Sequence, residues 1–195
     1  MESMQAWLKF IVETDRLKQV YRQTEITGHS RRENSAEHSW HLALMAVLMM
    51  DAANARDLDL LKVVKMLLIH DIVEIDAGDT FAYDEQGHQD KEERETKAAQ
   101  RIFGLLPEEQ REEMMALWRE FEEHRTPEAK FALALDRFHP MLLNFHTEGA
   151  AWRKHHVTSR QVLERNQVIA EGSEALWDVA RKLVDEAVSR GYLEP

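Results

Sequence analysis

Three polar sites interrupt segments that are otherwise apolar, and their side chains are of the types that hold divalent metal ions. Glu37-His38 stands at the entrance to the apolar run of residues 42–50, His70-Asp71 directly follows Met66-Leu67-Leu68-Ile69, and Asp136 follows Phe131-Ala132-Leu133-Ala134-Leu135. A carboxylate in apolar surroundings costs several kcal/mol unless its charge is compensated. Two such carboxylates and two imidazoles offset one another's cost by sharing one divalent cation. For each residue alone the competing reading is hydrogen-bonded structure, with Asp136 paired to Arg137 or another arginine. Adjacent helical residues do not share a face, so spacing by itself does not bring His70 and Asp71 to one ion.

Those side chains need a scaffold, and composition says what kind. The chain has 195 residues, with 7 Gly, 4 Pro and no Cys. So few turn formers argue against an all-β fold, and the good helix formers Ala, Leu, Glu, Met, Gln, Lys and Arg dominate. The expected fold is all-α, one domain over residues 1–195. The lack of cysteine removes disulfides, thiolate metal sites and Cys nucleophiles together.

Met4, Trp7, Leu8 and Ile11 form a stripe at helical spacing. A polar stretch over residues 23–34 holds Gly28 and Arg31-Arg32. Asn34 with Glu37 reads as a capping box that starts the next helix. That helix runs to about residue 53 and, apolar nearly all round beyond His41, is expected in the core. A third buried helix is expected over about 59–76, through Leu60, Leu61, Val64, Leu67 and Leu68. Residues 77–88 read as a loop, and helices follow over about 90–103 and 107–123, with Pro107 in a first turn. Thr126-Pro127 opens a helix reaching about residue 144, and residues 146–156 look irregular. Thr158 with Gln161 is a second capping box, and C-terminal helices cover about 158–190 with an interruption at Gly172.

A net charge of −11 repels nucleic-acid backbones, so no nucleic acid polymer is expected as a partner. A small phosphate ester remains compatible, because a metal ion and a few arginines invert the local field. The longest apolar run, residues 42–50, is far shorter than the ~20 residues that span a bilayer. Residues 1–11 carry Glu2 and Lys9 and lack a signal-peptide core, so a cytoplasmic protein with no membrane partner is expected.

The order His38, His70-Asp71, Asp136 resembles the His…His-Asp…Asp signature of the HD superfamily of metal-dependent phosphohydrolases. Arg32-Glu33-Asn34-Ser35-Ala36-Glu37-His38-Ser39 is similar to the segment around the first ligand in bacterial HD-domain 5′-deoxynucleotidases and their eukaryotic relatives, the HD-domain-containing protein 2 group. His70-Asp71-x-x-Glu74 followed by Gly78-Asp79 is similar to that family's second motif. The likeness covers a core of about residues 17–144. It implies a single HD-domain helical bundle whose buried site holds one divalent metal ion (Mn, Co, Mg, Zn or Fe) through His38, His70, Asp71 and Asp136. Mixed nitrogen and oxygen ligation without a soft ligand suits such ions. It also implies a homodimer that hydrolyses deoxyribonucleoside 5′-monophosphates to nucleoside and phosphate by attack of a metal-activated water.

Glu74 lies three residues after Asp71 and four after His70, on the same face if the helix continues. There it could orient or deprotonate the attacking water, or protonate the leaving oxygen. Asp79 resembles the family residue that contacts the sugar hydroxyl. Arg22, Arg31 and Arg32 flank the first ligand and are the arginines expected to meet the phosphate, whose oxygens fit the guanidinium fork. The family has an Arg-Trp pair near Arg22; here Gln23 follows, so sugar and base selectivity does not transfer. His41 and His139 read as supporting or packed residues, and His146, His155 and His156 as surface. Trp7, Trp40, Trp118, Trp152 and Trp177 read as core or interface. Three functions stay open: a 5′-nucleotidase-like phosphomonoesterase, an HD-type hydrolase of a nucleoside triphosphate, cyclic nucleotide or other ester, and a non-catalytic regulatory dimer that binds metal or nucleotide. Glu74 argues against the last, because binding needs no water-activating carboxylate.

Overall fold

The computed structural model describes residues 2–84 and 86–195. Helix α1 (Glu2–Thr14) leads through a 3₁₀ turn (Asp15–Gln19) into strands β1 (Tyr21–Glu25) and β2 (Arg32–Asn34). Then come α2 (Ser35–Met49), α3 (Leu60–Ile69), a 3₁₀ turn (His70–Val73) and α4 (Glu74–Ala77). The chain continues with α5 (Lys91–Phe103), α6 (Glu108–Glu123), α7 (Pro127–His146) and α8 (Ala150–Lys154). It closes with α9 (Ser159–Asn166), α10 (Ile169–Gly172) and α11 (Glu174–Ser189). The all-α class is the one observed, with a small addition: the polar stretch before α2 forms part of an antiparallel hairpin, Tyr21 opposite Asn34 and Glu25 opposite Arg32, with an irregular register between them. No helix among the described residues is long and apolar enough to cross a membrane.

Helix starts follow local chemistry. The Asn34 side chain accepts the Glu37 N–H while the Glu37 carboxylate accepts the Asn34 N–H, and Thr158 with Gln161 repeats this box at α9. Thr126 caps α7 with Pro127 in its first turn, whereas Pro107 sits one position earlier than expected, as the N-cap of α6. The helix expected over 59–76 instead breaks at Ile69 (φ −112°, ψ −16°) and tightens into the 3₁₀ turn. The C-terminal region breaks at Ser173, whose side chain caps α11.

Helices α2, α3, α6, α10 and α11 all pack on α7, whose Phe131, Ala132, Ala134 and Leu135 have no solvent exposure. Such crowding needs small residues. A Cβ on Gly172 of α10 would lie 2.2 Å from the Lys130 carbonyl oxygen of α7, so glycine is what permits that approach. Pro140 inside α7 lacks the N–H that would bond the Asp136 carbonyl four residues back, which interrupts the helical ladder beside Asp136.

Two helices expected wholly in the core are amphipathic. Helix α2 buries His38, Leu42, Met45 and Ala46 but exposes Trp40, Leu44, Val47 and Leu48. Helix α3 buries Val63, Met66 and Leu67 and exposes Leu61 and Leu68. Apolar composition reports a preference for burial; which face obtains it depends on the neighbours that pack there.

Candidate metal centre

Helix α2, the 3₁₀ turn after α3, and α7 bring His38, His70, Asp71 and Asp136 together. His38 Nε2 lies 3.0 Å from Asp136 Oδ1, and His70 Nε2 lies 3.1 Å from Asp71 Oδ1 and 3.8 Å from Asp136 Oδ1. His38, His70 and Asp71, all buried, hold ligand-type atoms within 4.8 Å of one another. With three residues per turn, the 3₁₀ segment also stacks Asp71 and Glu74 on one side.

His70 shows why a cation fits here. Its Nδ1–H donates to the Leu67 carbonyl at 2.9 Å, so a neutral ring turns the bare Nε2 lone pair toward two carboxylate oxygens, and buried Nε2 has no hydrogen-bond partner among the described residues. That arrangement is repulsive unless positive charge lies between. Without a metal a proton takes the place: burial lowers the His70 pKa, but Asp71 and Asp136 outweigh it and bring it up to about 9. Burial likewise pushes Asp136 up, yet the hydrogen bond with His38 and the nearby His70 prevail and hold it well below the usual carboxylate range. Two imidazoles and two carboxylates form a donor set for hard to borderline divalent ions. Metal and proton compete for His70 Nε2, so below the pKa of about 9 uptake should release a proton. Affinity should then fall by up to about tenfold per pH unit as pH drops, measurable by calorimetry in buffers of differing ionisation enthalpy.

A chain of imidazoles stands behind His38. His38 Nδ1 is 3.1 Å from His139 Nδ1, and His139 Nε2 is 3.1 Å from His41 Nδ1. If Nε2 of His38 faces a cation, its Nδ1–H donates to His139, and His139 in turn donates to His41. Burial, reinforced by His38 and His41, keeps His139 well below the ordinary imidazole range and therefore neutral, as an acceptor must be. Glu33 reaches His38 Nδ1 at 3.5 Å, a contact its place in a strand before the capping box did not announce. Glu33, His38 and His139 also come within ligand range of one another, but the two Nδ1 atoms there are already joined by a hydrogen bond.

Arg22 Nη1 donates to Asp71 Oδ2 at 2.7 Å and lies 3.9 Å from Asp79, while Arg22 Nε lies 3.9 Å from Glu33. Burial opposes its charge, but Asp71, Glu74 and Asp79 outweigh burial and raise its pKa, so Arg22 is a fixed cation that orients Asp71. Arg31 and Arg32 are placed elsewhere. Strand alternation turns Glu33 inward and Arg32 outward, over the Tyr21 ring at 5.8 Å, and exposed Arg31 forks onto Glu37 at 2.8 and 2.6 Å. Neither lines the cavity below.

A cavity of about 390 Å³ opens onto the cluster, a size suited to a small ligand. Buried Glu74 lines it, and Ser35 Oγ–H donates to Glu74 Oε2 at 2.6 Å. Burial, aided by Asp71, raises the Glu74 pKa well above its usual value. Gly78 (φ +77°, ψ 153°) ends α4 in a conformation nearly confined to glycine and turns Asp79 into the lining. Burial raises Asp79 against the opposing charge of Arg22. Further lining residues went unnoticed as such in the sequence: Arg137, Arg165, Phe81, Tyr83 and the buried Trp152. Arg137 borders Asp136 and Phe81 follows Asp79 closely, which were usable signals; Arg165, in a charged helix, had none. Gln23 Oε1 lies 3.3 Å from His155 Nε2, and His155 stacks on Phe81 (4.3 Å between centroids), so this histidine is half-buried where His146 and His156 are exposed.

With this geometry in place, comparison with known proteins is specific: a family model described as HD domain matches residues 14–177. The chain belongs to the HD domain family. Among curated HD-domain relatives, 5′-deoxynucleotidase HDDC2 of Homo sapiens is 33% identical over 131 residues, covering 67% of this chain and 62% of that protein. The Mus musculus protein of the same name is 33% identical over 118 residues, 60% of this chain and 55% of that one. The chain thus spans less than two thirds of these relatives' length. A crystal structure of a predicted metal-dependent phosphohydrolase from Magnetospirillum magnetotacticum MS-1 superimposes with a TM-score of 0.95 at 54% identity, covering 100% of this chain and 97% of that one. A conserved hypothetical protein from Pyrococcus furiosus shares the fold, with a TM-score of 0.63 at 19% identity over 93% of this chain and 99% of that one.

Proposed function

We propose that this HD-domain chain is a metal-dependent phosphomonoesterase that cleaves deoxyribonucleoside 5′-monophosphates to nucleoside and phosphate. The observation that carries the reading is the unpartnered, buried His70 Nε2 among His38, Asp71 and Asp136, with Glu74 in the same cavity wall. The names of the curated relatives support the substrate class. His38, His70, Asp71 and Asp136 would hold one divalent ion (Mn, Co, Mg, Zn or Fe), which when bound supplies positive charge to phosphoryl oxygens and acidifies water in its reach.

The chain's own groups do the rest. Arg22 keeps Asp71 in register through its 2.7 Å bond. Ser35 holds one oxygen of Glu74, leaving the other to take a proton from water or to give one to the departing 5′ oxygen. Asp79 accepts a hydrogen bond from the sugar hydroxyl. Phe81, Tyr83 and Trp152 supply apolar wall for the nucleoside, Trp152 from α8 serving where the residue after Arg22 is Gln23 rather than Trp. A phosphate-release screen tests this, with nucleoside monophosphates and each of Mn, Co, Mg and Zn added to chelator-stripped protein. Release from deoxynucleotides is expected; no release from any of them, with metal demonstrably bound, would return the chain to a regulatory role.

We also infer that two copies pair through the outer faces of α2 and α3. Trp40, Leu44, Val47 and Leu48 form an uncharged stripe on α2, and Leu61 and Leu68 continue it on the adjacent α3. Contiguous exposed apolar area of this kind marks association. Light scattering should give twice the chain mass for the native protein and the single mass for the double variant Val47→Glu/Leu48→Glu. A monomeric native protein rejects the pairing.

A further inference from the structure

The cavity wall holds more positive charge than the Arg22–Asp71 pair accounts for. Of its cationic side chains, Arg22 is matched by Asp71 and Lys91 by Glu95 at 2.9 Å. Arg137 and Arg165 are different. Among the described residues Arg137 reaches a carboxylate only at 4.0 Å, Asp136 Oδ2, and Arg165 forms no ion pair. The Nε–H of each is buried and has no hydrogen-bond partner among the described residues. Arg165 instead lies over the Tyr83 ring, 5.8 Å from its centroid. Burial, then the neighbouring charge of Arg137, brings the Arg165 pKa down to about 10, with Tyr83 and Asp136 offsetting only part of the shift. Asn144 Oδ1 and His124 Nδ1 in the same wall also lack partners.

Resting on the hydrolase reading above, we propose that Arg137 and Arg165 seat the phosphoryl group and select doubly charged phosphomonoesters over singly charged phosphodiesters. Position and charge both support it. Arg137 directly follows Asp136, so an anion bridging the two guanidiniums borders the carboxylate and imidazole cluster where the reaction would occur. A monoester carries close to two negative charges near neutral pH, because its second pKa is about 6. A diester or cyclic ester carries one. Two guanidiniums, Arg165 with no ion pair among the described residues and Arg137 4.0 Å from Asp136, match the first, and their planar forks suit its terminal oxygens. The wall built by α7 and α9 therefore takes the role that sequence order alone would assign to Arg31 and Arg32.

Inorganic phosphate is the probe, titrated calorimetrically into metal-loaded protein. Arg165→Gln and Arg137→Gln should each weaken its binding about 10- to 100-fold, the effect of one charge-assisted contact. Arg181→Gln, on the exposed face of α11 and paired there with Asp178, should bind phosphate as the native protein does. Metal content should stay at the native level throughout. Arg165→Lys, which keeps the charge and most of the volume, should recover part of the affinity; it also serves if the Gln variant does not fold. In turnover assays KM for a monoester should rise in the Gln variants by more than KM for the diester bis(4-nitrophenyl) phosphate. Native-like phosphate affinity in folded Arg165 and Arg137 variants, or loss in Arg32→Gln instead, overturns the assignment and leaves the hydrolase reading standing. Arginine-dependent phosphate binding in a protein that cleaves no ester supports the seat and removes the hydrolase reading. A native protein that does not bind phosphate overturns the assignment outright.

Discussion

Replacing Glu74 by glutamine is expected to lower phosphate release about 10²- to 10⁴-fold while metal content stays native. Glutamine is nearly isosteric and keeps an acceptor for the Ser35 hydroxyl, now 2.6 Å from Glu74 Oε2. Glu74 is also outside the His38, His70, Asp71 and Asp136 cluster, so the ligands are untouched. What disappears is a carboxyl able to carry a proton. Burial, then Asp71, already disfavours the charged form of Glu74, so the neutral amide should fold as well as the acid, with a Tm equal to or above the native value. The diagnostic pattern is a drop in kcat with KM and metal stoichiometry preserved. A variant as active as the native protein would show that no proton passes through position 74.

Asp136→Ala should weaken metal binding by orders of magnitude. Asp136 Oδ1 lies 3.0 Å from His38 Nε2 and 3.8 Å from His70 Nε2, and no other residue of the cluster touches both rings. Removing one partner from a buried charged cluster costs roughly 3–5 kcal/mol, or about 10²- to 10⁴-fold in affinity. The readout is thermal: a ligand at about 1,000 times its Kd stabilises a native protein by about 4 kcal/mol. Chelator-stripped native protein should therefore gain Tm on addition of Mn or Co, and the Ala variant should gain far less at the same metal concentration. An undiminished metal-dependent shift would place the ion away from Asp136, with Glu33, His38 and His139 the grouping to test next.

Helix starts were the most legible part of the chain. The Asn34–Glu37 and Thr158–Gln161 boxes and the Thr126-Pro127 cap close their bonds within three residues, so sequence neighbours alone specify them. Residue type suggested the candidate ligands without fixing them: His38, His70, Asp71 and Asp136 interrupt apolar segments, which calls for compensation, and the resemblance to the HD superfamily is what implied that all four hold one ion. Their exact partners were not. His70 Nε2 acquires its meaning from the Leu67 carbonyl holding Nδ1, and His139 from a ring 101 positions away.

The cavity shows the same division. Asp79 and Glu74 follow the second motif closely, whereas Arg165 enters from α9 and Trp152 from α8, and nothing near either residue in the chain marks it. Arg31 and Arg32 stand beside the first motif, yet the pleat of β2 sends Arg32 outward and Glu37 captures Arg31. Sequence by itself thus determined the helical class and the caps, because these depend on contacts within a turn or on residue type, and through its motif order it offered the candidate metal-holding groups. Tertiary structure alone decided which arginines face the cavity, which sides of α2 and α3 stay exposed, and how the imidazoles chain together. Those outcomes depend on the relative placement of helices far apart in the chain, and no local interaction encodes it.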